Sequence, residues 1–348
     1  MNIKTIIFAT LLLAVCCVAR AHDFVVTLNG QKVYFNIKSK NKKTVEVTYK
    51  GSIADGKPAD YVGELAIPAK VKHDNTVFSV VAVGAKAFSG ADRLTGITLP
   101  MGVAKIGDFA FEGCTSLGKI VFPGNGVEFG EGVFFKCDKI KGVSFGSDWK
   151  EADLKMFRWS DSLSTVTIPA KMEKIRNMKS LKNLETIVVD INNAKFTAID
   201  GILYNKSCET LYGCPRAYKG AVKVAEGTKN ITQGAFIDCK GITKADFPAS
   251  LTTLSFREFS RMEQLQEIIF RGEEPIMTAK GKSGEQFLLH VTNKKVVIIV
   301  PKSAKKKYKA ALVQTTGEYT ELNGTTPYLV ESDRMPGVKN IKGVNKFQ

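Results

Sequence analysis

Phenylalanines recur along this chain every 23 residues, an interval far longer than the roughly 3.6-residue period of a helix or the two-residue period of a strand. They are Phe88, Phe111, Phe134, Phe157, Phe236 and Phe259. Apolar residues also recur five residues before, six residues after and nine residues after each of them. A repeat of this length predicts a solenoid, in which each coil buries its apolar side against its neighbours.

A shorter pattern inside each coil predicts its local structure. Apolar and small polar residues alternate over the end of the segment 94–99, as in a half-buried strand, and Pro100 then ends the strand because proline has no N–H for a β-ladder. Prolines occupy the equivalent position of other coils, as Pro123, Pro169 and Pro248. The preceding stretch, such as 107–114, fits a tight helical turn. Stacked coils therefore predict an α/β repeat solenoid with one parallel sheet face and a layer of turns on the other.

The period also predicts the domain organisation. Seven coils and a partial coil at Leu65–Pro68 can be counted, and the coil 172–189 is two residues short, with Met178 in the phenylalanine slot. The gap between Met178 and Phe236 exceeds one period by 35 residues, which predicts an insertion.

The dipeptide Asn29-Gly30 predicts a hairpin that covers the first coil. The predicted domains are a signal peptide 1–21, an N-terminal β cap 22–60, coils 61–189, a hairpin insertion 190–222, coils 223–271, and a C-terminal cap and tail 272–348.

The repeat carries a family resemblance. Residues 106–117, with Ile120 and Pro123, resemble the repeat of the BspA-like leucine-rich repeat family, and the motif recurs from Gly234 to Pro248. Residues 200–206 are similar to a hairpin insertion often seen in that family, and residues 296–309 resemble its common closing segment, so the resemblance covers roughly 44–312. It implies a right-handed leucine-rich repeat stack with a C-terminal strand–helix cap. It also implies a bacterial surface or secreted protein, since some members are implicated in adhesion to host proteins.

The N-terminal segment independently predicts export. Lys4 precedes an apolar run from Ile6 to Val18, and Ala19-Arg20-Ala21 fits the small-x-small pattern of a signal peptidase site, so the mature chain is predicted to begin at His22. Lipidation at Cys16 or Cys17 is the alternative, which the bulky Val15 disfavours. We therefore expect a protein that is secreted, held at the cell surface or periplasmic.

The charge balance is strongly basic. Removal of residues 1–21 leaves 48 basic and 34 acidic residues, a net charge of +14. Such a surface can steer a protein to polyanions, or it can keep the edges of a long sheet soluble. Ser303 can cap a helix that places its lysines on one side and Ala304, Tyr308 and Leu312 on the other. We therefore interpret this segment primarily as a terminal cap and only secondarily as a basic patch. The patch would consist of Lys302, Lys305, Lys306 and Lys309.

Cysteines and histidines give no sign of a metal or cofactor site. Cys114, Cys137 and Cys239 share one slot, three residues after the phenylalanine, which predicts a small buried position. No CxxC pair with a nearby histidine is present, so a zinc site is not expected. The sequence alone does not decide whether Cys208 and Cys214 form a disulfide inside the insertion.

The sequence predicts no catalytic machinery. His22, His73 and His290 lie far apart in the sequence, outside the coils. The stretch Gly281-Lys282-Ser283 resembles the end of a phosphate-binding loop, but Ile276 stands where such a loop requires its first glycine. An enzyme hidden in the insertion is the weakest of the readings. We therefore predict a protein that is not an enzyme and uses no cofactor.

The outward residues of the predicted strands form the main candidate site, a strip of small and nearly neutral side chains. Such strips are the usual contact surface of solenoids, although threonine and serine also suit any exposed strand. The predicted function is a non-catalytic, monomeric, exported scaffold that binds an extracellular or host protein or a glycan, and the alternative is a polyanion binder that uses the lysine-rich C-terminal region. No specific nucleic acid is expected. The candidate residues are Thr98, Lys119, Val121, Ser144, Thr165, Thr167, Thr186, Val188, Lys244, Asp246 and Glu267 in the strip, with Tyr204 and Tyr212 in the insertion.

Overall fold

The computed structural model of the chain describes residues 22–50, 60–122, 124, 126–254, 259, 261–278, 296–308 and 341–344. These residues form a solenoid of stacked parallel strands, which confirms the predicted fold class. The predicted signal peptide (1–21), the stretch 281–283, His290 and Lys309 lie outside the described residues. Within the described part of the chain, no helix is long and apolar enough to cross a membrane.

The first strands cover one end of the stack. Strands β1 (Phe24–Leu28), β2 (Gln31–Ser39) and β3 (Thr44–Thr48) form an antiparallel meander. Its first turn lies at Asn29 and Gly30, which both have positive φ, as this dipeptide favours. Strand β3 then pairs in parallel with β6 (Thr76–Val83), so the meander continues directly into the coils.

The predicted strands form a parallel ladder in three sections. Residues nine positions after each phenylalanine, such as Ile97 and Val166, point inward and are buried. The sections are β4 (Val62–Ala66), β7 (Arg93–Thr98) and β9 (Lys119–Val121); β11 (Gly142–Ser144), β13 (Thr165–Ile168) and β15 (Thr186–Val189); and β19 (Lys219–Lys223), β21 (Gly241–Phe247), β23 (Glu267–Phe270), β25 (Val297–Pro301) and β26 (Ile341–Val344).

A second parallel ladder lies where the sequence pattern predicted only turns. Its inward residues are the apolar column five positions before each phenylalanine, including Ile106 and Leu254. Most of these strands are two or three residues long, too short for an alternating pattern to be recognised in the sequence. They are β6 with β8 (Lys105–Ile106) and β10 (Glu128–Phe129); β12 (Glu151–Asp153) with β14 (Lys174–Arg176); and β18 (Thr210–Gly213) with β20 (Asn230–Ile231), β22 (Thr253–Leu254) and β24 (Met277–Thr278), while β5 (Lys70–His73) pairs with β6 in the antiparallel direction.

The periodic phenylalanines form a continuous stack in the first half of the core. The ring centroids of Phe88 and Phe111 are 4.9 Å apart, those of Phe111 and Phe134 5.3 Å, and those of Phe134 and Phe157 5.1 Å, with interplanar angles of 2°, 14° and 18°. All four side chains are fully buried. Their common slot therefore aligns them from coil to coil, as the repeat predicts.

A second aromatic column lies eleven residues after the phenylalanine slot. Phe122 stacks on Phe145 at 5.7 Å, and Phe247 stacks on Phe270 at 5.4 Å. Phe270 in turn stacks on Tyr308 of the C-terminal segment, at 5.7 Å. This column connects the last coils to the terminal cap.

The cysteine slot has a polar role as well as a packing role. The thiols of Cys114 and Cys137 donate hydrogen bonds to the carbonyl oxygens of Phe88 and Phe111, at 3.2 and 3.1 Å. In the next coil Ser160 occupies the same slot, and its hydroxyl donates to the carbonyl oxygen of Phe134 at 2.8 Å. In these coils the slot therefore holds a small side chain whose donor reaches the preceding coil, whereas Ala91 and Met262 fill the same slot by packing alone.

All five cysteines of the described chain are free thiols, including the pair Cys208 and Cys214. Four are buried and Cys208 is half-buried. A hydrogen bond with Cys137, together with burial, raises the pKa of Cys114. Burial and a hydrogen bond with Cys239 raise the pKa of Cys214. Because the thiolate is the reactive form, these thiols stay inert at pH values where an exposed thiol reacts.

We therefore expect native residues 22–348 to take up a single iodoacetamide adduct, on Cys208. The count stays at one when the pH rises from about 7.5 to about 9, because the other four thiols are buried away from the reagent and a raised pKa also keeps Cys114 and Cys214 protonated. In guanidinium chloride without reductant, mass spectrometry should count five adducts, matching the five free thiols. Fewer than five in denaturant would reveal a disulfide and contradict the free-thiol arrangement.

Candidate binding surface

The central section of the strip is an uninterrupted uncharged surface. In β11, β13 and β15, Gly142 pairs with Thr165 and Thr165 with Thr186, while Ser144 pairs with Thr167 and Thr167 with Val188. The alternate residues Val143, Val166 and Ile187 are buried. Ser144 and Val188 are exposed and the three threonines are half-buried. The strands therefore present two parallel rows of short side chains.

The charged residues of the first section neutralise each other. Glu64 and Lys119 belong to β4 and β9, on either side of Gly96, and their carboxylate oxygen and Nζ are 2.9 Å apart. A Cβ on Gly96 would lie 3.0 Å from Cγ of Glu64, so the missing side chain gives this pair its room. Thr98 and Val121 lie exposed beside it. The exposed pair adds little stability, but it removes a net charge from the strip.

Two charged residues of the last section are also paired with each other. Lys244 and Glu267 are register neighbours and form an ion pair of 3.3 Å. Asp246 was expected to face a ligand, and this is wrong: it is 8% exposed, and its two carboxylate oxygens accept hydrogen bonds from Nε and Nη2 of Arg271, both at 2.7 Å. Arg271 is the residue immediately after β23, so the alternation of inward and outward residues within the strand does not identify it as the partner of Asp246.

The insertion is a three-stranded antiparallel unit whose third strand joins the second ladder. It consists of β16 (Phe196–Ile199), β17 (Ile202–Asn205) and β18, and β18 pairs in parallel with β20. Tyr204 was expected to be exposed, but it is 0% exposed, and its hydroxyl accepts a hydrogen bond from the N–H of Ala225 at 3.3 Å. Burial raises its pKa. Tyr212 is 40% exposed and packs edge-to-face on Phe196.

A buried asparagine fixes the start of the insertion. Asn193 is 0% exposed, and its amide nitrogen donates to the carbonyl oxygens of Pro169 and Met172 at 2.7 and 3.0 Å. Its side-chain oxygen accepts from the N–H groups of Lys195 and Phe196 at 2.8 and 2.7 Å. All four hydrogen-bonding positions of the amide are thus used.

The turn between β16 and β17 borders the central strip. The N–H of Ile187 donates to the carbonyl oxygen of Gly201 at 3.0 Å, and a Cβ on Gly201 would lie 2.6 Å from Oγ1 of Thr186. Gly201 also has a positive φ of 78°, so glycine is required on both grounds. Val188 and Ile191 are exposed at the same border, by 47% and 84%. The border of the central strip at the insertion is therefore apolar.

The C-terminal lysines lie on the outside of a short helical segment. Ala304 and Tyr308 are buried, and the hydroxyl of Tyr308 donates to the carbonyl oxygen of Glu274 at 2.9 Å. Lys302, Lys305 and Lys306 are exposed, and Lys307 pairs with Glu274. The segment is thus amphipathic over the part that the structure describes.

No cluster of metal-binding side chains is present among the described residues. No group of three or more histidine, cysteine, aspartate or glutamate side chains in that part of the chain is placed to hold a metal ion. A small groove lies where the short coil meets the insertion, and its lining includes Met178, Lys179 and Tyr212. Lys179 donates to the carbonyl oxygen of Gln233 there, at 2.7 Å.

Comparisons with solved structures show the same fold in bacterial proteins. The pneumococcal vaccine antigen PcpA is 19% identical over 81% of this chain and 82% of its own, with a TM-score of 0.50. A leucine-rich cell surface protein of Faecalibacterium prausnitzii is 17% identical over 82% of this chain and 93% of its own, with a TM-score of 0.38. A leucine-rich repeat protein of T. pallidum is 19% identical over 67% and 87%, with a TM-score of 0.36.

Sequence comparison identifies the family directly. A search of curated proteins finds no match. The BspA type leucine rich repeat region matches residues 79–208 and 212–280, in six copies, which is more than half of the chain. Those ranges contain the phenylalanine slots of the coils, the thiol slot and most of the insertion. The chain therefore belongs to the BspA type leucine-rich repeat family.

Proposed function

We propose that this protein is an exported, non-catalytic scaffold that binds an extended segment of an extracellular protein along the strip of β11, β13 and β15. The observation that carries the proposal is the pair of uncharged rows, in which Thr165 and Thr167 lie at the centre. Short β-branched side chains on a rigid sheet bind with little loss of conformational entropy. The exposed Val188 and Ile191 at the border of the insertion supply an apolar anchor.

The paired charges at both ends support a protein partner more than a polyanion at this surface. Lys119 is neutralised by Glu64, and Lys244 by Glu267. At these two lysines a polyanion would have to displace Glu64 or Glu267 before it gained a contact. A polypeptide segment that fills the uncharged centre leaves them intact and is bordered by them.

The lysine-rich helical segment favours a second candidate function, binding of a sulphated glycan or an anionic surface. The exposed Lys302, Lys305 and Lys306 carry it. Affinity at this segment would fall steeply with salt, because each neutralised anionic group releases counterions. Binding at the uncharged strip would change little with salt, so a salt titration separates the two functions.

We expect the double substitution Thr165→Arg and Thr167→Arg to reduce binding of extracellular-matrix proteins by at least about tenfold. Two long cations in the centre of the strip would be desolvated without partners in the complex. The measurement is capture from a matrix extract, followed by titration of the captured protein. The matched control is Thr115→Arg with Thr252→Arg, which adds the same charge at two exposed threonines elsewhere. Equal binding by both variants and the parent chain would place the contact outside the strip.

A further inference from the structure

Three aromatic rings of consecutive coils form a row on the turn layer, away from the sheet strip. The rings of Phe109 and Phe135 meet edge-to-face with centroids 6.3 Å apart, and those of Phe135 and Trp159 meet edge-to-face at 5.8 Å. Trp159 is 37% exposed, and both phenylalanines are half-buried. Each ring comes from a different slot of its coil, so the row crosses the coils diagonally.

The ends of this row are held in a backbone conformation that favours glycine. Phe109 has a φ of 54° and Trp159 a φ of 65°. Positive φ recurs in the equivalent slots of other coils. Gly132, Gly234 and Lys86 match Phe109, while Gly90, Gly113, Lys136, Asp238 and Arg261 match Trp159. A bulky side chain with positive φ is strained, and such strain concentrates at functional sites. The two slots do not themselves require aromatic rings, because other coils fill them with glycine or with polar residues such as Lys86 and Asp238.

Cations accompany the rings. Nζ of Lys136 lies 5.1 Å from the centroid of Phe135, and Cζ of Arg158 lies 4.6 Å from the centroid of Trp159. These distances are typical of cation–π contacts. The row therefore combines apolar ring surface with positively charged donors.

The carboxylates of the same layer are already engaged within the chain. Asp108 accepts a hydrogen bond from the N–H of Glu131, and Glu131 accepts one from Arg158 at 3.2 Å. Glu112 accepts one from the hydroxyl of Ser89. Among the described residues, Lys86, Lys136 and Lys155 form no ion pair with a carboxylate, whereas Lys105 of the second ladder pairs with Glu128. The charge left available to a ligand is positive, on Lys86, Lys136 and Lys155.

We propose that this aromatic row binds an acidic polysaccharide of the uronic-acid class. The C–H face of a sugar ring packs on Phe135 or Trp159, while its carboxylate accepts a hydrogen bond from Lys136. An acidic peptide fits less well, because the N–H groups of this layer, such as those of Phe88 and Phe111, are already bonded to the next coil and offer no strand edge. The site is separate from the sheet strip and goes beyond the function proposed for it.

The test is titration of the full chain with oligogalacturonate at low salt, with dextran as a neutral and poly-glutamate as a peptide comparison. We expect binding of oligogalacturonate only, and a loss of about tenfold or more in the double variant Phe109→Gly and Trp159→Gly, which removes ring contacts. The melting temperature should fall by only a few degrees, because relief of the left-handed strain at both positions offsets part of the lost ring burial. The control Thr165→Arg with Thr167→Arg should bind oligogalacturonate normally.

Fluorescence gives a second and direct measurement. The chain has two tryptophans, and Trp149 is only 2% exposed, so quenching by acrylamide reports mainly on Trp159. Oligogalacturonate should protect this signal. Absence of binding, unchanged binding by the glycine variant, or equal binding of dextran or poly-glutamate would overturn the proposal. None of these results bears on the sheet strip, which is tested by its own arginine variant.

Discussion

Replacing Phe134 with alanine is expected to lower the free energy of unfolding by about 3–5 kcal/mol. Its ring is fully buried and stacks on both Phe111 and Phe157, at 5.3 and 5.1 Å. Alanine leaves a cavity between two coils that cannot collapse, because the ladders on either side fix their spacing. In a solenoid each coil is stabilised by its neighbours, so the loss also uncouples the coils before it from those after it.

Urea unfolding, followed by circular dichroism, measures this effect. The expected result is an earlier and broader transition, because the two halves no longer unfold together. Phe135→Ala is the matched control one residue along the chain; its half-buried ring should cost only about 1 kcal/mol. A Phe134→Ala variant that unfolds with the same midpoint as the control would contradict the role of the stack.

The phenylalanine stack was predictable because every coil repeats it in the same slot. Phe88, Phe111, Phe134 and Phe157 have the same neighbours in each turn, so an identical spacing in sequence becomes an aligned column in space. The second column was not predicted. Its slot contains leucine, isoleucine and valine as well as the phenylalanines, and without a constant residue type the period is harder to recognise.

The candidate strip was predictable in its orientation but not in its partners. Strand alternation identified Thr165, Thr167 and Val188 as outward residues, because the side-chain period of a strand is fixed. It could not show that Asp246 is bonded to Arg271, which lies 25 residues later in the sequence. The error for Tyr204 has the same origin, because its hydroxyl accepts a hydrogen bond from the N–H of Ala225, which lies 21 residues later in the sequence.

The aromatic row on the turn layer was not apparent in the sequence for a geometric reason. Phe109, Phe135 and Trp159 stand in three different slots, so a comparison made slot by slot treats each as a single exception. Only the stacking of the coils brings them into contact. Their positive φ values likewise depend on coordinates, since nothing in the residue types phenylalanine and tryptophan predicts a left-handed backbone.

Asn193→Ala is the second substitution with a large expected effect, a loss of about 3 kcal/mol of stability. Alanine removes four hydrogen bonds at a buried site, and it leaves the carbonyl of Met172 and the N–H groups of Lys195 and Phe196 without their side-chain partner, while the carbonyl of Pro169 keeps only its bond from the N–H of Met172. Unpaired buried polar groups carry the full cost of desolvation. The neighbouring Asn192 is exposed, so Asn192→Ala should change stability by less than about 0.5 kcal/mol.

The loss should be concentrated in the insertion, because Asn193 joins its first strand to the preceding coil. Hydrogen exchange at Phe196 and in β17 should become faster, while exchange in β7 and β9 stays as in the parent chain. The same change should weaken ligand binding at the strip, since the turn at Gly201 lies against Thr186 and forms its border. If Asn193→Ala accelerated exchange equally in all coils, the asparagine would stabilise the solenoid as a whole, and the insertion would not be an independently attached part of the binding surface.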